Sequence, residues 1–289
     1  METKQSKWFY LLLLALIWGS SFILIKRGLV GLTAVQLGSL RIIFAALFLS
    51  IVGFKSLKEV QKRHWKYIAL TAFVGTFTPV YLFSYAQTEI DSSISAILNS
   101  LTPLNTLILG FVFFGVSFQR RQLLGVIIGF LGCIMLILHG AMNHPEQNYF
   151  YVLFVVIAAI CYALNINLIK KYLSDLKPFS IVTGNFMVLG IPALVILFFT
   201  GFNVELALQP QVYHSMFFIV ILGILGTGIA NIIFFKLIQM SSPIFASSVT
   251  YLIPVVALSW GIFDNESLTL IQYLGAAIIL IGVYLSSRK

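Results

Sequence analysis

The chain has 289 residues, of which 60% are hydrophobic and only 9% are charged, and its formal net charge is +9. Soluble domains carry about 25% charged residues, so this composition excludes an ordinary soluble globular protein and predicts a chain that lies mostly in a bilayer. The basic residues flank apolar stretches without an aromatic-basic motif, so the charge predicts membrane topology and no nucleic-acid binding.

The predicted elements are helices long enough to cross a membrane. A span needs about 20 mainly apolar residues, and the first apolar stretch follows Lys4 and Lys7 without a signal-peptide cleavage site, so it is predicted to remain as a helix. The predicted spans are residues 8–27, 34–54, 66–87, 92–115, 122–142, 149–169, 179–200, 213–236, 243–263 and 268–287. The fold class is therefore predicted to be an all-α polytopic membrane protein with ten transmembrane helices.

The distribution of Lys and Arg predicts the orientation of these spans. With the N-terminus inside, fifteen of the 18 Lys and Arg residues lie in inside segments, whereas only Lys26 and Arg27 lie outside. Positively charged loops stay on the cytoplasmic side. We therefore expect a multi-pass protein of the inner (plasma) membrane with both termini in the cytoplasm.

The two halves of the chain repeat each other at nearly constant offsets. Gly75-Thr76 matches Gly226-Thr227 at an offset of 151, and Ile25-Lys26 matches Ile169-Lys170 at 144. The fourth and ninth spans match at 151 through the pairs Leu101/Leu252, Pro103/Pro254, Leu107/Leu258 and Gly110/Gly261. Since each half contains an odd number of spans, residues 1–142 and 149–289 are predicted to form two five-helix repeats of inverted topology in one membrane unit.

Pro103 and Pro254 interrupt matching apolar helices. A proline inside a helix costs about 3 kcal/mol in water, but membrane helices tolerate it where hydroxyls or neighbouring helices satisfy the freed carbonyl. One interpretation is that both prolines are hinges of gating helices. The alternative is a static kink.

Polar and aromatic residues at repeated positions predict a binding pocket. Trp18 and Ser21 share one helix face, and the offset of 144 places Tyr162 and Asn165 on the same face of the sixth span. An aromatic ring beside a hydrogen-bonding group suits a partly apolar solute, although Ser and Asn also join membrane helices by packing. Further candidates for substrate binding are Tyr81, Asn99, Asn231 and Tyr251. Asn167, in contrast, is expected to face elsewhere.

Arg41 is the ionisable residue that lies clearly inside a predicted span. A charge at the centre of a bilayer costs at least about 2.5–3.5 kcal/mol, so it usually faces a cavity or a partner. Arg41 could therefore either attract a substrate carboxylate or anchor neighbouring helices.

Other features predict neither a catalytic nor a metal site. His139, His144 and Glu146 match no ligand motif, and no acid lies deep in a span, so no metal, cofactor or catalytic residue is expected. The spacing of Gly125 and Gly129 favours close helix packing within the monomer. A homodimer is possible, but a monomer is sufficient.

Several stretches resemble a known family. Leu16-Ile-Trp-Gly-Ser-Ser21, Leu40-Arg41, the two proline helices and Leu274-Gly-Ala-Ala-Ile-Ile-Leu-Ile-Gly-Val-Tyr284 are similar to the EamA-type group of the drug/metabolite transporter superfamily. The resemblance implies export of amino acids and other small metabolites through a central cavity lined by eight helices, with the fifth and tenth outside it. The family often has an acid shortly before these two helices. Glu266 fits that pattern, but Val116 stands at the matching position.

Together these features predict a secondary transporter that moves small neutral or zwitterionic, amino-acid-like metabolites by alternating access, in the direction of export. Its expected partners are a small-molecule substrate and the lipid bilayer. Two alternatives are a flippase for an amphipathic or lipid-linked molecule and a membrane-embedded enzyme or scaffold.

Overall fold

The computed structural model describes residues 4–90, 92–117, 119–143, 148–263 and 270–287, and the regular structure of these residues is entirely helical. The long helical segments are α1 (Lys4–Gly28), α2 (Ala34–Gly53), α3 (Lys62–Ala72, Phe73–Phe77 and Thr78–Ala86), α4 (Ser92–Leu98, Asn99–Leu101 and Thr102–Phe114), α5 (Arg120–Asn143), α6 (Val152–Tyr172), α7 (Pro178–Phe199), α8 (Pro210–Ile221, Leu222–Ile229 and Ala230–Met240), α9 (Pro243–Ser247 and Val249–Phe263) and α10 (Leu270–Ser287). Short helices cover Phe54–Glu59, Tyr149–Tyr151 and Val204–Leu208.

Helix starts follow local sequence signals. Thr33 caps α2 with a capping box to Gln36. Pro178, Pro210 and Pro243 stand in the first turns of α7, α8 and α9, where the missing N–H has no intrahelical partner to lose.

The described helices identify a multi-pass membrane protein. Seven of them are long and apolar enough to span a bilayer, namely α1, α2, α3, α4, α6, α7 and α8, and α9 adds the shorter apolar helix Pro243–Ala257. Large apolar side chains such as Ile51, Phe113 and Phe198 are exposed on the outer helix faces, as contact with lipid requires. The predicted all-α class is confirmed for the described residues, whereas the number of ten spans stays a prediction.

Helix packing follows the same pattern in both halves. α1 packs on α9 as α6 packs on α4, α1 packs on α8 as α6 packs on α3, and α2 packs on α8 as α7 packs on α3. The pairs α2–α7 and α5–α10 each join equivalent helices. A single exchange of the two halves therefore reproduces each of these helix pairs.

Glycines bring α5 and α10 into backbone contact. A Cβ atom added to Gly282 would lie 2.5 Å from Gly129 N and 2.7 Å from Gly125 O. The prediction that Gly125 and Gly129 serve packing within the monomer is thus confirmed.

Irregular turns interrupt the helices of the central region. Phe73–Phe77 of α3 and Leu222–Ile229 of α8 are π-helical, and Asn99–Leu101 of α4 is a 3₁₀ turn that ends two residues before Pro103. Wide π turns occur often at functional sites because they leave backbone groups and side chains in unusual positions. These interruptions lie near one another in the middle of the bundle.

Candidate functional site

A central cavity of about 70 Å³ lies among α1, α2, α3, α4, α6, α8 and α9. Its described lining residues are Trp18, Ser21, Phe22, Ile25, Arg41, Gly75, Thr76, Val80, Phe83, Asn99, Thr102, Tyr162, Asn165, Ile166, Gly226, Thr227, Asn231, Phe234, Thr250 and Ile253. Helices α5 and α10 contribute none of them, in line with the resemblance, and neither does α7. A buried water needs about 10–15 Å³ by this kind of measure, so the cavity has room for only a few waters.

The lining residues are related by the sequence repeat. Eighteen of the 20 form nine pairs at offsets of 144 or 151, and only Ile25 and Arg41 stand outside this scheme. The pairs are Trp18/Tyr162, Ser21/Asn165, Phe22/Ile166, Gly75/Gly226, Thr76/Thr227, Val80/Asn231, Phe83/Phe234, Asn99/Thr250 and Thr102/Ile253. Both halves of the chain therefore build the cavity from equivalent positions.

Six of the eight residues predicted to bind substrate meet in this cavity: Trp18, Ser21, Asn99, Tyr162, Asn165 and Asn231. Tyr81 does not line it, because its ring packs over Gly38 and its hydroxyl lies 2.8 Å from that of Ser39. Tyr251 is also elsewhere. It is fully buried against α5, with its ring over Gly129 and its hydroxyl donating to the Val126 carbonyl. Both tyrosines turn toward the space that a glycine of a neighbouring helix leaves open.

Trp18 is fixed by the π-helical segment of α8. Its indole Nε1–H donates to the Gly226 carbonyl over 2.9 Å, and its ring meets Phe234 edge to face at 4.8 Å between centroids. The π turn therefore supplies an acceptor that orients one aromatic wall of the cavity. On the equivalent helix α6, Tyr162 lies 6.0 Å from Phe83 in a stacked arrangement.

The position of the Asn165 amide requires a glycine at Gly75, in the π-helical segment of α3. A Cβ atom added to Gly75 would lie 2.2 Å from both Cγ and Nδ2 of Asn165, so only glycine leaves room for this amide. Asn165 is 2% exposed, and its Oδ1 has no hydrogen-bond partner among the described residues. The neighbouring Asn167 donates from Nδ2 to the Thr106 and Ala163 carbonyls outside the cavity, which confirms the prediction that it faces elsewhere.

Arg41 brings the charge of the cavity. Its Nε–H donates to Thr227 Oγ1 over 2.6 Å, and that hydroxyl donates in turn to the Leu222 carbonyl. The side chain is 8% exposed, and none of the described lining residues is acidic. The equivalent position on α7 is Asn185, which lies away from the cavity and is hydrogen-bonded to Thr71. The guanidinium thus gives a nearly symmetric cavity one cationic side.

Comparison with known proteins gives the family. The model of the EamA-like transporter family matches residues 6–138 and again 149–288. The chain belongs to this family. It is 28% identical over 288 residues to an uncharacterized transporter of Archaeoglobus fulgidus, covering 99% of this chain and 100% of that one. It is 24% identical to a probable amino-acid metabolite efflux pump of Salmonella typhimurium, covering 96% of this chain and 93% of the relative.

A solved crystal structure has the same fold. It matches with a TM-score of 0.74 at 13% sequence identity, covering 99% of this chain and 97% of the other. The family and the relatives make the protein a membrane transporter and not an enzyme. The described residues contain no cluster of three His, Cys, Asp or Glu side chains that would hold a metal ion, and His144, Glu146 and Glu266 lie outside the described residues.

Hydroxyl groups satisfy the carbonyls that the two prolines free in this EamA-like transporter. Pro103 cannot bond the Asn99 carbonyl four residues earlier, and Thr102 Oγ1 donates to it over 2.7 Å. Pro254 likewise frees the Thr250 carbonyl, which accepts from Ser100 Oγ of α4 over 2.9 Å. The Thr250 carbonyl accepts its hydrogen bond from another helix, because Ile253, at the position equivalent to Thr102, has no hydroxyl group. The carbonyl that each proline frees therefore accepts a hydrogen bond from a hydroxyl group of α4.

Two sets of polar contacts join the helix ends above and below the cavity. At one end, Asp175 accepts hydrogen bonds from Arg63 at 2.9 Å and His64 at 3.0 Å, and Lys177 pairs with Glu59. Burial alone would raise the pKa of Asp175, but hydrogen bonds from His64 and its own backbone and the charge of Arg63 outweigh burial and lower the pKa. The equivalent contacts described at the other end are hydrogen bonds from neutral side chains.

At that other end, Ser215 Oγ donates to the Arg27 carbonyl over 3.2 Å and Gln211 Nε2 to the Val30 carbonyl over 2.9 Å. His64 and Ser215 are equivalent at an offset of 151, as are Gly31 and Asp175 at 144. Equivalent elements therefore meet at both ends, through ionic side chains at the first end and, among the described contacts, through the neutral side chains of Ser215 and Gln211 at the second.

Several lining residues were missed from the sequence. Gly75-Thr76 and Gly226-Thr227 were recognised as a repeat but not as π-helical wall segments, and Phe83/Phe234 and Thr250 were not considered. The signal that could have found them is their offset of 151.

Proposed function

We propose that this protein is a secondary transporter that exports small neutral or zwitterionic, amino-acid-like metabolites across the cytoplasmic membrane by alternating access. The observation that carries the proposal is the central cavity, which nine pairs of repeat-related residues line. A binding site at the interface of two repeats is the usual arrangement in secondary transporters. The relative named a probable amino-acid metabolite efflux pump supports both the cargo class and the direction.

The proposed architecture is ten spans in two inverted repeats, residues 1–142 and 149–289, with both termini in the cytoplasm. Three observations support it. The family model matches each half separately, exchange of the halves preserves the main helix pairs, and the excess of Lys and Arg lies on one side of the predicted spans.

In this proposal the two sets of end contacts open in turn. Most of the described lining residues are buried from solvent, so the walls must separate to admit a solute. The cytoplasmic contacts between Asp175 and the start of α3 break to admit cargo, while those of Ser215 and Gln211 break to release it. The proline breaks of α4 and α9 absorb the change, since a helix without its full hydrogen-bond ladder bends more easily there.

The chemistry of the walls sets the cargo. Trp18, Tyr162, Phe83 and Phe234 provide aromatic surface, and Ser21, Asn99, Asn165 and Asn231 provide neutral hydrogen-bonding groups. A multivalent anion needs several cationic partners in a cavity of low dielectric constant, and Arg41 is the one basic residue among the described lining residues. A neutral or zwitterionic solute therefore suits the walls best.

The proposal is tested by metabolite profiles of cells that lack or overproduce the protein, followed by uptake into proteoliposomes. We expect one class of amino-acid-like compound to accumulate inside the deletion strain and to enter proteoliposomes saturably. Replacing Trp18 and Tyr162 by Ala should abolish this uptake without lowering the protein level. Saturable transport of a sugar phosphate, a dicarboxylate or a lipid-linked molecule, unaffected by both changes, would contradict the proposal.

A further inference from the structure

We propose that the cargo must carry one free carboxylate, which Arg41 binds, and a donor group that meets Asn165 Oδ1, so that the cavity accepts an α-amino acid in a single orientation. This inference rests on the proposed function and narrows its cargo to carboxylate-bearing zwitterions. It also assigns Arg41 to substrate recognition rather than to helix anchoring.

The hydrogen bonds of Arg41 indicate that its outer face is directed to a ligand. A guanidinium has five N–H donors, and only Nε makes a hydrogen bond to a described residue, the bond to Thr227. The two terminal nitrogens have no hydrogen bond to any described residue, although the side chain is 8% exposed. An anchoring arginine would use these donors on helix carbonyls.

The described lining residues supply no counter-charge to Arg41. None of the described lining residues is acidic, and a buried charge without a partner is costly. The terminal N–H groups of a guanidinium match the two oxygens of a carboxylate in a bidentate arrangement. Thr227 holds the arginine in place, because its hydroxyl accepts from Nε while donating to the Leu222 carbonyl. The ligand that completes this side of the cavity is therefore a monovalent carboxylate.

Asn165 offers the complementary group. Its Oδ1 is a buried acceptor without a partner among the described residues, and it lies on α6, whereas Arg41 lies on α2. Leaving a buried acceptor unpaired is unfavourable, and an ammonium N–H satisfies it. Because the position equivalent to Arg41 is Asn185, which lies away from the cavity, the cationic side occurs once. A zwitterion therefore has one favourable orientation despite the repeat.

The test uses the purified full-length protein in detergent, in methanesulfonate buffer free of chloride. Thermal stabilisation is measured with each proteinogenic amino acid. Each amino acid that stabilises the protein is then compared with its amide, its methyl ester and its deaminated acid. We expect at least one amino acid to bind, and its amide and ester to bind about 10- to 150-fold more weakly, the range for losing a hydrogen bond to a charged group.

Three variants separate recognition from structure. Arg41→Gln should weaken binding of the amino acid by a similar factor, and this variant should bind the amino acid and its amide equally well. Arg41→Lys should recover part of the preference, because it keeps the charge but loses the bidentate fork. Asn165→Ala should weaken binding of the amino acid more than binding of its deaminated acid. Ser50→Ala is the matched control on α2, since Ser50 bonds only the Ala46 carbonyl and Met187 Sδ, and it should bind as the unmodified protein does.

Distinct results would overturn the inference. If the amide and ester bind as tightly as the amino acid, or if Arg41→Gln keeps the preference for the acid, the proposed function survives but Arg41 is an anchor. If chloride alone stabilises the protein through Arg41 and no carboxylate does, the site holds an inorganic anion. If no amino acid binds and the cellular profile changes in another compound class, the proposed function fails as well.

Discussion

The substitution Gly75→Ala tests whether the Asn165 amide packs directly against the backbone of α3. The new Cβ atom of Gly75→Ala would lie 2.2 Å from Cγ and Nδ2 and 2.5 Å from Oδ1 of Asn165. A contact this short cannot persist, so the amide must leave its position or α3 and α6 must separate. Overpacking of this kind typically costs about 1–3 kcal/mol.

The equivalent glycine provides a matched comparison. A Cβ atom at Gly226 would lie 2.9 Å from Ser21 Oγ and from Leu222 Cδ1, a milder overlap than the 2.2 Å at Gly75. Gly226→Ala should therefore destabilise the protein less than Gly75→Ala. The double variant Gly75→Ala with Asn165→Ala removes the clashing amide and should recover most of the lost stability, as a coupling between touching residues requires.

The assay is thermal unfolding of the purified protein in detergent together with uptake into proteoliposomes. Gly75→Ala should unfold at a lower temperature and lose uptake, whereas the double variant should regain stability but not uptake. If Gly75→Ala is as stable as Gly226→Ala, or if the double variant is no more stable than Gly75→Ala alone, the placement of Asn165 against α3 is wrong.

The other predictions concern topology, the prolines and one charged contact. A cysteine placed at Asn203 should react with an impermeant thiol reagent outside intact cells and one at Ser56 should not; the reverse pattern would overturn the orientation. Pro103→Ala or Pro254→Ala should keep expression and lower the rate of proteoliposome uptake, and normal uptake by both would leave the prolines a packing role only. Because its folded pKa is lowered, Asp175 should stabilise the protein above its unfolded pKa of about 3.9, and this contribution should vanish as pH falls through the folded pKa. Asp175→Asn should thus cost about 0–1 kcal/mol near neutral pH and nothing in strong acid, and a pH-independent difference in thermal stability would contradict this.

The helices and the repeat follow from simple sequence physics. Apolar stretches of about 20 residues mark spans because the bilayer thickness sets their length, and α4, α6 and α7 begin and end within three residues of the predicted limits. The cavity residues Trp18, Tyr162 and Asn165 were also found, since polar and aromatic groups recur there at a fixed offset. Polar residues at equivalent positions of two apolar helices indicate that their side chains lie at one common site.

What the sequence did not show depends on contacts between distant residues. Tyr81 and Tyr251 turn away from the cavity because Gly38 and Gly129 of neighbouring helices leave space for their rings. The periodicity of a helix does not show where a neighbouring helix leaves such space. The π turns were missed for a related reason. Gly-Thr pairs have no strong preference for a widened turn, and the turn at Gly226 is tied to Trp18 by a bond across 208 residues.

Access to one cavity residue from both sides of the membrane tests the central claim most directly. Val80 lines the cavity on α3 and carries no polar group whose loss would confuse the result, so Val80→Cys is made in a chain whose native Cys133 and Cys161 are replaced by Ala. Val126→Cys, fully buried on α5 away from the cavity, is the control. A small impermeant thiol reagent should label Val80→Cys from outside in intact cells and from inside in inverted vesicles, and should label the control from neither side. Labelling of Val80→Cys from one side only, or from neither, would contradict alternating access through this cavity.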